Sequence, residues 1–194
     1  MNDAAVKVWR REQRARLIAL RLALDPALRK RHAAAIEAAL LQVIGSITGE
    51  VLGICWPFKA EFDARPLAER LRGSGWLIAL PAVVDKRGAL EYRLWEPGMA
   101  MASGVYDIPV PEARNVVRPD VVLAPLVGFD AENYRLGYGG GYFDRTLAAL
   151  APRPLAVGVG FEVQRLDSVY PRPHDIAMDV IVTEAQCRRR NANP

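Results

Sequence analysis

Three consecutive glycines lie within the segment Arg-Leu-Gly-Tyr-Gly-Gly-Gly-Tyr-Phe-Asp-Arg, residues 135–145. Glycines leave backbone N–H groups uncovered, and the helical pattern that follows adds a helix amino terminus. Both features favour a loop that binds an anionic phosphate over a loop that is only a flexible turn. Arg135 and Arg145 add fixed positive charge at its two ends. The segment is not a Walker loop, because no G-x-x-x-x-G-K-S/T pattern is present, and Tyr142 replaces the third glycine of G-x-G-x-x-G.

Basic side chains are concentrated near the amino terminus. Residues 1–32 carry nine Lys or Arg and three acidic residues, whereas the whole chain has a net charge of +4, so the remainder is close to neutral. Lys7 and Arg11 are spaced i, i+4 and share one helix face, which either binds phosphate or is a solvated basic face. A nucleic-acid-binding module is a remote alternative, because the near-neutral remainder has no stacking motif or recognised binding fold.

Several aromatic and histidine residues have two readings each. Trp56 lies in an apolar run and either packs in the core or lines a ligand site, and Tyr106 either fixes its Pro-rich loop or stacks on a ligand. His174 lies between Pro173 and Asp175, which favours a rigid turn held by a hydrogen bond over a general base. His32 lies in a charged helical pattern, and we expect it to be exposed.

Length and composition indicate one soluble domain. With 194 residues, of which 51% are hydrophobic, the chain can bury one substantial core. No apolar stretch approaches the about 18 residues that a membrane span needs, and the amino terminus is charged, so we expect a cytoplasmic chain that contacts no membrane. The two cysteines, Cys55 and Cys187, provide neither a disulfide framework nor a zinc spacing.

Apolar runs alternate with helical patterns along the chain. An amphipathic helix is predicted from about residue 3 to 24, and Asp25 is expected to cap a second helix, with Pro26 at its first position, that runs to about residue 44. Strand-like runs lie at 51–57, 76–84, 121–129, 154–161 and 180–183, with further helical patterns at 65–72 and 141–150. This alternation predicts a single α/β domain with a mostly parallel, buried sheet flanked by helices, including the two amino-terminal ones.

Two segments are less regular. The Pro-rich residues 97–119 are predicted to form a long functional loop or an edge hairpin. Residues 1–186 are expected to make up the domain, and the polar residues 187–194 are expected to form a flexible carboxyl-terminal tail.

The glycine segment closely resembles the signature of the 5-formyltetrahydrofolate cyclo-ligases, also known as 5,10-methenyltetrahydrofolate synthetases. The resemblance extends over nearly the whole chain. It includes Lys7 and Arg11 on the first helix and the segments 61–67, 106–109 and 173–179.

This resemblance implies an ATP- and Mg²⁺-dependent enzyme that cyclises 5-formyltetrahydrofolate to 5,10-methenyltetrahydrofolate through a phosphorylated formyl group, with release of ADP and phosphate. The family's ATP-binding positions match Lys7, Arg11, Arg135, Gly137, Tyr138, Gly139, Gly140 and Gly141. Its folate-binding positions match Trp56, Glu61, Tyr106 and Tyr142, and its catalytic positions match Tyr142 and Arg145. The expected partners are small molecules, with no nucleic acid, and the expected state is a monomer.

The resemblance also implies that Asp144 and Asp179 hold the Mg²⁺. Two aspartates beside a bound triphosphate are a suitable ligand set, because Mg²⁺ prefers hard carboxylate, phosphate and water oxygens. The alternative is that Asp144 caps its helix and Asp179 pairs with a nearby arginine.

One segment departs from the family pattern. The stretch Trp-Pro-Phe-Lys-Ala-Glu, residues 56–61, stands where the family usually has a compact Pro-Gly-Glu turn before its folate-binding glutamate. The departure touches the substrate side of the site. An ATP-dependent enzyme that acts on a different N-formyl or folate-like substrate therefore remains an alternative.

Overall fold

A computed structural model describes residues 2–190, which fold around a seven-stranded sheet. The strands are β1 Val51–Gly53, β2 Leu77–Ala82, β3 Glu91–Leu94, β4 Met101–Ser103, β5 Pro109–Pro111, β6 Val121–Pro125, β7 Gly128–Phe129, β8 Arg135–Leu136, β9 Leu155–Val159, β10 Val180–Val182 and β11 Cys187–Arg189. The order in the main sheet is β11-β10-β9-β6-β1-β2-β3. The five central strands run parallel, and the two edge strands pair antiparallel.

Within the described residues, four α-helices accompany the sheet: α1 Asp3–Leu22, α2 Pro26–Gly45, α3 Arg65–Arg72 and α4 Tyr142–Ala149. Asn2 caps α1, and the Asp25 carboxylate accepts a hydrogen bond from the Leu28 amide at the start of α2, with Pro26 in the first turn as predicted. The predicted α/β class, with a mostly parallel sheet and two amino-terminal helices, is confirmed. Within residues 2–190, no helix is long and apolar enough to cross a membrane.

The sheet is buried because helices cover it. Ile36 and Leu40 of α2 and Leu67 of α3 belong to the same hydrophobic cluster as Leu52 of β1 and Ile78 of β2. Every residue of β1 and of β10 is buried, which explains why these strands read as continuous apolar runs rather than alternating ones.

The Pro-rich segment contains a hairpin, which agrees with the second of its two predicted forms. Strands β4 and β5 pair antiparallel and form a separate two-stranded sheet. Tyr106 lies in the turn between them and adopts a positive φ of 60°. The hairpin thereby carries this aromatic residue to the carboxyl edge of the parallel strands, where ligands bind in open α/β sheets.

Two sequence expectations are wrong. Cys187–Arg189 is an edge strand rather than part of a flexible tail, because it pairs with β10 and because Arg188 donates to Asn133 Oδ1 at 2.8 Å. Residues 191–194 of the expected tail lie outside the described residues. His32 is only partly exposed, and its Nδ1 lies 3.1 Å from a Glu184 carboxylate oxygen.

Candidate active site

Two adjoining cavities lie at the carboxyl edge of the sheet. The apolar cavity is lined mainly by aromatic and aliphatic side chains around Glu61, and the basic cavity is lined by arginines of α1 together with the loop between β8 and α4. Both cavities are lined by Arg135, Gly137 and Tyr138. The loop that contains the three consecutive glycines is therefore the wall between them.

The conformation of the glycine loop explains its composition. Gly139 and Gly141 adopt positive φ values of 97° and 66°, which other residues rarely adopt. A Cβ atom on Gly139 would also come within 3.3 Å of the Arg14 guanidinium carbon. Gly140 has no positive φ, and its requirement is steric, since a Cβ atom there would lie 2.7 Å from the ring of Tyr142.

Arg135 and Asp144 form a buried ion pair at the end of the loop. Arg135 Nη2 donates to Asp144 Oδ2 at 2.9 Å, and the Arg135 side chain is 5% exposed. Its Nε is buried and has no hydrogen-bond partner among residues 2–190. The other Asp144 oxygen accepts from the Ile176 amide at 3.1 Å, so Asp144 braces two segments and does not cap α4.

One face of α1 supplies three cations of the basic cavity, and Arg135 and Arg172 add two more. Lys7, Arg10 and Arg14 line it, whereas Arg11 is exposed and lines neither cavity. Arg14 Nε donates to the Gly137 carbonyl at 2.6 Å. Sequence reasoning missed Arg10 and Arg14, although their spacing from Lys7, i, i+3 and i+7, is that of a single helix face.

The arginines of the basic cavity repel one another. Burial is the main cause that lowers the pKa of Arg14, and the charges of Arg10 and Arg172 add to it, with Asp175 opposing. Burial acts to raise the pKa of Asp175, but the hydrogen bonds from Arg10 and the Arg172 amide outweigh it, so the pKa of Asp175 is lowered. A bound anion would relieve this repulsion, which makes the cavity suited to a polyanion.

Glu61 lies at the floor of the apolar cavity, and its side chain is 6% exposed. Its Oε1 accepts from the Tyr138 hydroxyl at 2.6 Å, and its Oε2 accepts from the Phe58 amide at 3.1 Å. Burial raises the pKa of Glu61, while the Tyr138 hydrogen bond, the charge of Arg21 and the Phe58 amide oppose the rise. The carboxylate keeps free lone pairs that can accept from a ligand in the cavity.

A sequence model of the 5-formyltetrahydrofolate cyclo-ligase family matches residues 6–184. The chain belongs to this family. A 5-formyltetrahydrofolate cyclo-ligase from Mycolicibacterium smegmatis is 29% identical over 178 residues, covering 88% of this chain and 91% of that protein. The Escherichia coli K12 enzyme of the same name is 29% identical over 147 residues, covering 72% of this chain and 81% of the other.

The fold also resembles that of solved structures. The NMR structure of Aquifex aeolicus 5,10-methenyltetrahydrofolate synthetase is similar with a TM-score of 0.82 and 27% identity, covering 95% of this chain and 94% of that one. A synthetase from Mycoplasma pneumoniae shares the fold with a TM-score of 0.75 at 23% identity, covering 90% of this chain and 98% of that one.

In this cyclo-ligase family member, the aromatic residues predicted at the folate site do line the apolar cavity. Trp56 packs edge-on against Trp95, with ring centres 5.9 Å apart, so it contributes to the core and to the cavity wall at once. Tyr106 is 65% exposed and stacks on Phe58 at 6.3 Å. Phe58, which the sequence did not single out, belongs to the segment that departs from the family pattern.

The two predicted catalytic residues differ in position. Tyr142 lines the apolar cavity, and the Arg145 guanidinium lies 5.0 Å from the centre of its ring. Arg145 lines neither cavity, and its Nε donates to the Gly88 carbonyl at 2.8 Å. Arg145 therefore supports the ring of Tyr142 and the turn at residue 88.

Asp179 lies away from Asp144's cavity. It precedes β10 and so lies at the amino edge of the parallel strands, where its oxygens accept from Arg153 at 2.9 Å and from the Ala156 amide at 2.8 Å. It lines neither cavity. The structure thus pairs Asp179 with an arginine, as in the alternative reading, and does not bring the two aspartates together around a shared metal position.

The turn around His174 is held by hydrogen bonds, as predicted. Asp175 accepts from the Arg172 amide and donates its own amide to the Arg172 carbonyl, which closes the turn. His174 is 70% exposed at the rim of the basic cavity and lies 3.8 Å from Asp175, beyond hydrogen-bond distance. The predicted turn is therefore present, and Asp175 and Arg172 are the residues that its hydrogen bonds join.

Proposed function

We propose that the chain catalyses the ATP-dependent cyclisation of 5-formyltetrahydrofolate to 5,10-methenyltetrahydrofolate, with release of ADP and phosphate. The family match makes it an enzyme of the ligase class. The observation that supports the reaction most is the pair of adjoining cavities, one suited to a polyanion and one to a flat, partly apolar ligand, with a single loop between them. Two substrates that must react with each other need such adjacency.

The basic cavity is the proposed ATP triphosphate site. Lys7, Arg10 and Arg14 supply charge from α1, and the amides of the glycine loop and the amino terminus of α4 supply hydrogen-bond donors. Arg135, whose buried Nε lacks a partner among the described residues, adds a donor at the boundary of the two cavities. Arg11 is not part of this proposal because it is exposed outside the cavity.

The apolar cavity is the proposed folate site. Its aromatic side chains suit a flat pterin ring, and Glu61 can accept hydrogen bonds from two adjacent ring N–H donors. Because Glu61 is buried, this pairing would be shielded from water and selective for ligands that present two donors in the right geometry.

The proposed reaction needs positioning and charge neutralisation more than proton transfer. Transfer of the terminal phosphoryl group of ATP to the formyl oxygen converts that oxygen into a good leaving group. N10 of the folate then attacks the activated carbon and loses its proton to water, the carbon–oxygen bond breaks, and the formyl oxygen leaves within inorganic phosphate. The guanidinium groups and loop amides of the basic cavity would stabilise the charge that develops on the phosphoryl oxygens.

The residues present fit Mg²⁺ in part. Asp144 lines the basic cavity and can offer a carboxylate oxygen beside bound phosphates, whereas Asp179 is turned away. No group of three or more His, Cys, Asp or Glu suited to a metal occurs in residues 2–190, so phosphate and water oxygens would complete the coordination. A metal bound there would neutralise phosphate charge.

The cytoplasmic location and the monomeric state of the protein stay predictions.

The second candidate is an ATP-dependent enzyme that acts on a different N-formyl or folate-like substrate. It is kept because Phe58, in the segment that departs from the family pattern, lines the apolar cavity. The test is to incubate the purified protein with 5-formyltetrahydrofolate, ATP and Mg²⁺ and to follow methenyltetrahydrofolate absorbance. We expect ATP-dependent product. No product with 5-formyltetrahydrofolate, together with ATP hydrolysis stimulated by another N-formyl folate, would favour the second candidate.

A further inference from the structure

Arg21 and Tyr138 connect the two cavities through hydrogen bonds that the proposed reaction does not itself require. Tyr138 lies in the glycine loop and lines both cavities. Its hydroxyl donates to Glu61 at 2.6 Å and accepts from Arg21 Nη2 at 2.8 Å. A single side chain of the glycine loop thus contacts the carboxylate of the proposed folate site.

The Arg21 side chain is only 1% exposed. It donates hydrogen bonds both to the turn of residues 58–61 and to the glycine loop. Its Nε donates to the Lys59 carbonyl at 2.9 Å, and its Nη1 donates to the Leu126 carbonyl at 3.0 Å. Its Nη2 lies 3.8 Å from Glu61, so the two buried charges compensate each other.

The turn that Arg21 holds is conformationally demanding. Lys59 and Ala60 adopt positive φ values of 49° and 59°, which are uncommon for residues other than glycine. Hydrogen bonds between Phe58 and Glu61 close this turn in both directions, at 3.1 Å each. The orientation of Glu61 therefore depends on the turn, on Arg21 and on Tyr138 together.

The glycine loop has few attachments of its own. Helix α1 holds it through the bond from Arg14 to the Gly137 carbonyl and through the bond from Arg21 to the Tyr138 hydroxyl, while Gly139 and Gly140 are exposed. A ligand that pairs with Glu61 would hold this carboxylate in place. Because Glu61 accepts the hydrogen bond from the Tyr138 hydroxyl, the ligand would also help to order the glycine loop. An anion that binds the ordered loop loses less conformational entropy, so the two ligands would bind with positive coupling.

We propose that Tyr138, positioned by Arg21, couples the two cavities, so that a folate paired with Glu61 and a nucleotide held by the glycine loop each strengthen the binding of the other. The inference rests on the proposed function, because it takes a folate and ATP as the two ligands. Coupling of binding free energies is reciprocal, so each ligand must change the affinity of the other by the same factor.

The test measures binding without turnover. The dissociation constant of 5-formyltetrahydrofolate is determined by calorimetry with and without saturating adenylyl imidodiphosphate and Mg²⁺, in the unaltered protein and in Tyr138→Phe, which removes only the hydroxyl. We expect the nucleotide analogue to tighten folate binding by about fivefold or more in the unaltered protein and by less than about twofold in Tyr138→Phe. The matched control is Tyr134→Phe. The rings of Tyr134 and Tyr138 pack against the same buried cluster, which consists of Leu17, Val127, Leu136 and Val169. Tyr134 lines neither cavity, so its variant should keep the full factor.

A second variant tests the positioning role of Arg21. Arg21→Lys keeps a positive charge near Glu61 but cannot reach Lys59, Leu126 and Tyr138 at once. We expect it to reduce the coupling factor while the affinity for the nucleotide analogue alone changes less than about twofold.

Equal factors in the unaltered protein and in Tyr138→Phe, or a factor of one in the unaltered protein, would overturn the coupling. If the unaltered protein shows no coupling but still forms methenyltetrahydrofolate, the coupling alone has failed. If it binds no folate at all, both the coupling and the proposed function have failed.

Discussion

The basic and apolar cavities share a wall but offer a ligand different kinds of contact. In the basic cavity, several cations and loop amides act on a diffuse anionic charge, so the loss of any one of them leaves the others. In the apolar cavity, one buried carboxylate fixed by three neighbours provides the directional polar contact. If the proposed function is correct, specificity for the folate is concentrated in Glu61, whereas phosphate binding is distributed over several residues.

The largest effect is expected from the concentrated contact. Glu61→Gln should raise the KM for 5-formyltetrahydrofolate by about thirtyfold, equivalent to about 2 kcal/mol, because an amide can accept at only one end. Binding of the nucleotide analogue in the absence of folate should change little. Steady-state kinetics with an unchanged KM for the folate would disprove the assignment of Glu61.

A smaller loss is expected from one member of the distributed set. Arg14→Met should weaken ATP binding by about tenfold, because it removes a cation and a bond to the Gly137 carbonyl. The matched control is Arg11→Met on the same helix, where the side chain is exposed and lines neither cavity. Equal losses of ATP affinity in the two variants, measured by calorimetry, would mean that the phosphates bind elsewhere.

The metal gives a still smaller expected effect. Asp144→Asn should raise the Mg²⁺ concentration for half-maximal activity by about threefold, since phosphate and water oxygens would supply most of the ligands at the proposed metal site. Asp179→Asn is the control, because its carboxylate pairs with Arg153 at the other edge of the sheet. Thermal stability without ligand separates a metal effect from loss of the Arg135 pair. An unchanged Mg²⁺ dependence in Asp144→Asn would remove Asp144 from the metal site.

The smallest expected effect is a shift in the pH dependence of kcat/KM for the folate. Burial raises the pKa of Glu61, and the Tyr138 hydrogen bond and Arg21 lower it. Tyr138→Phe removes one of the lowering contacts, so the pKa of Glu61 should rise further. If ionised Glu61 is the binding form, the acid limb of kcat/KM for the folate moves to higher pH in this variant. A shift towards lower pH, or none, would contradict the geometry.

Features encoded in local patterns could be predicted from the sequence. The glycine segment, the Asp25 cap and the buried parallel strands each follow from residue types over a few neighbours, and the structure has them where expected. The resemblance to the family supplied Glu61, which lines the apolar cavity, and its folate-binding role stays a prediction.

Features set by tertiary packing were harder to predict. Whether Arg11 or Arg14 faces the cavity depends on how α1 is rotated against the sheet, which charge spacing alone leaves open. The bond between Tyr138 and Glu61 joins residues 77 positions apart. The prediction for Asp179 was wrong because a residue that precedes a parallel strand lies at the amino edge of the sheet, away from the glycine loop. The prediction for Cys187–Arg189 was wrong because pairing with β10 outweighs the polar composition of this segment.

The measurement that tests the proposed reaction most directly follows the formyl oxygen itself. 5-Formyltetrahydrofolate that carries a heavy oxygen isotope in its formyl group is converted with ATP and Mg²⁺, and the released phosphate is examined by mass spectrometry. We expect ATP-dependent methenyltetrahydrofolate together with one labelled oxygen in each phosphate, because the formyl oxygen is the group that becomes phosphorylated. Methenyltetrahydrofolate formed with unlabelled phosphate would contradict that route, and absence of the product would contradict the proposed function.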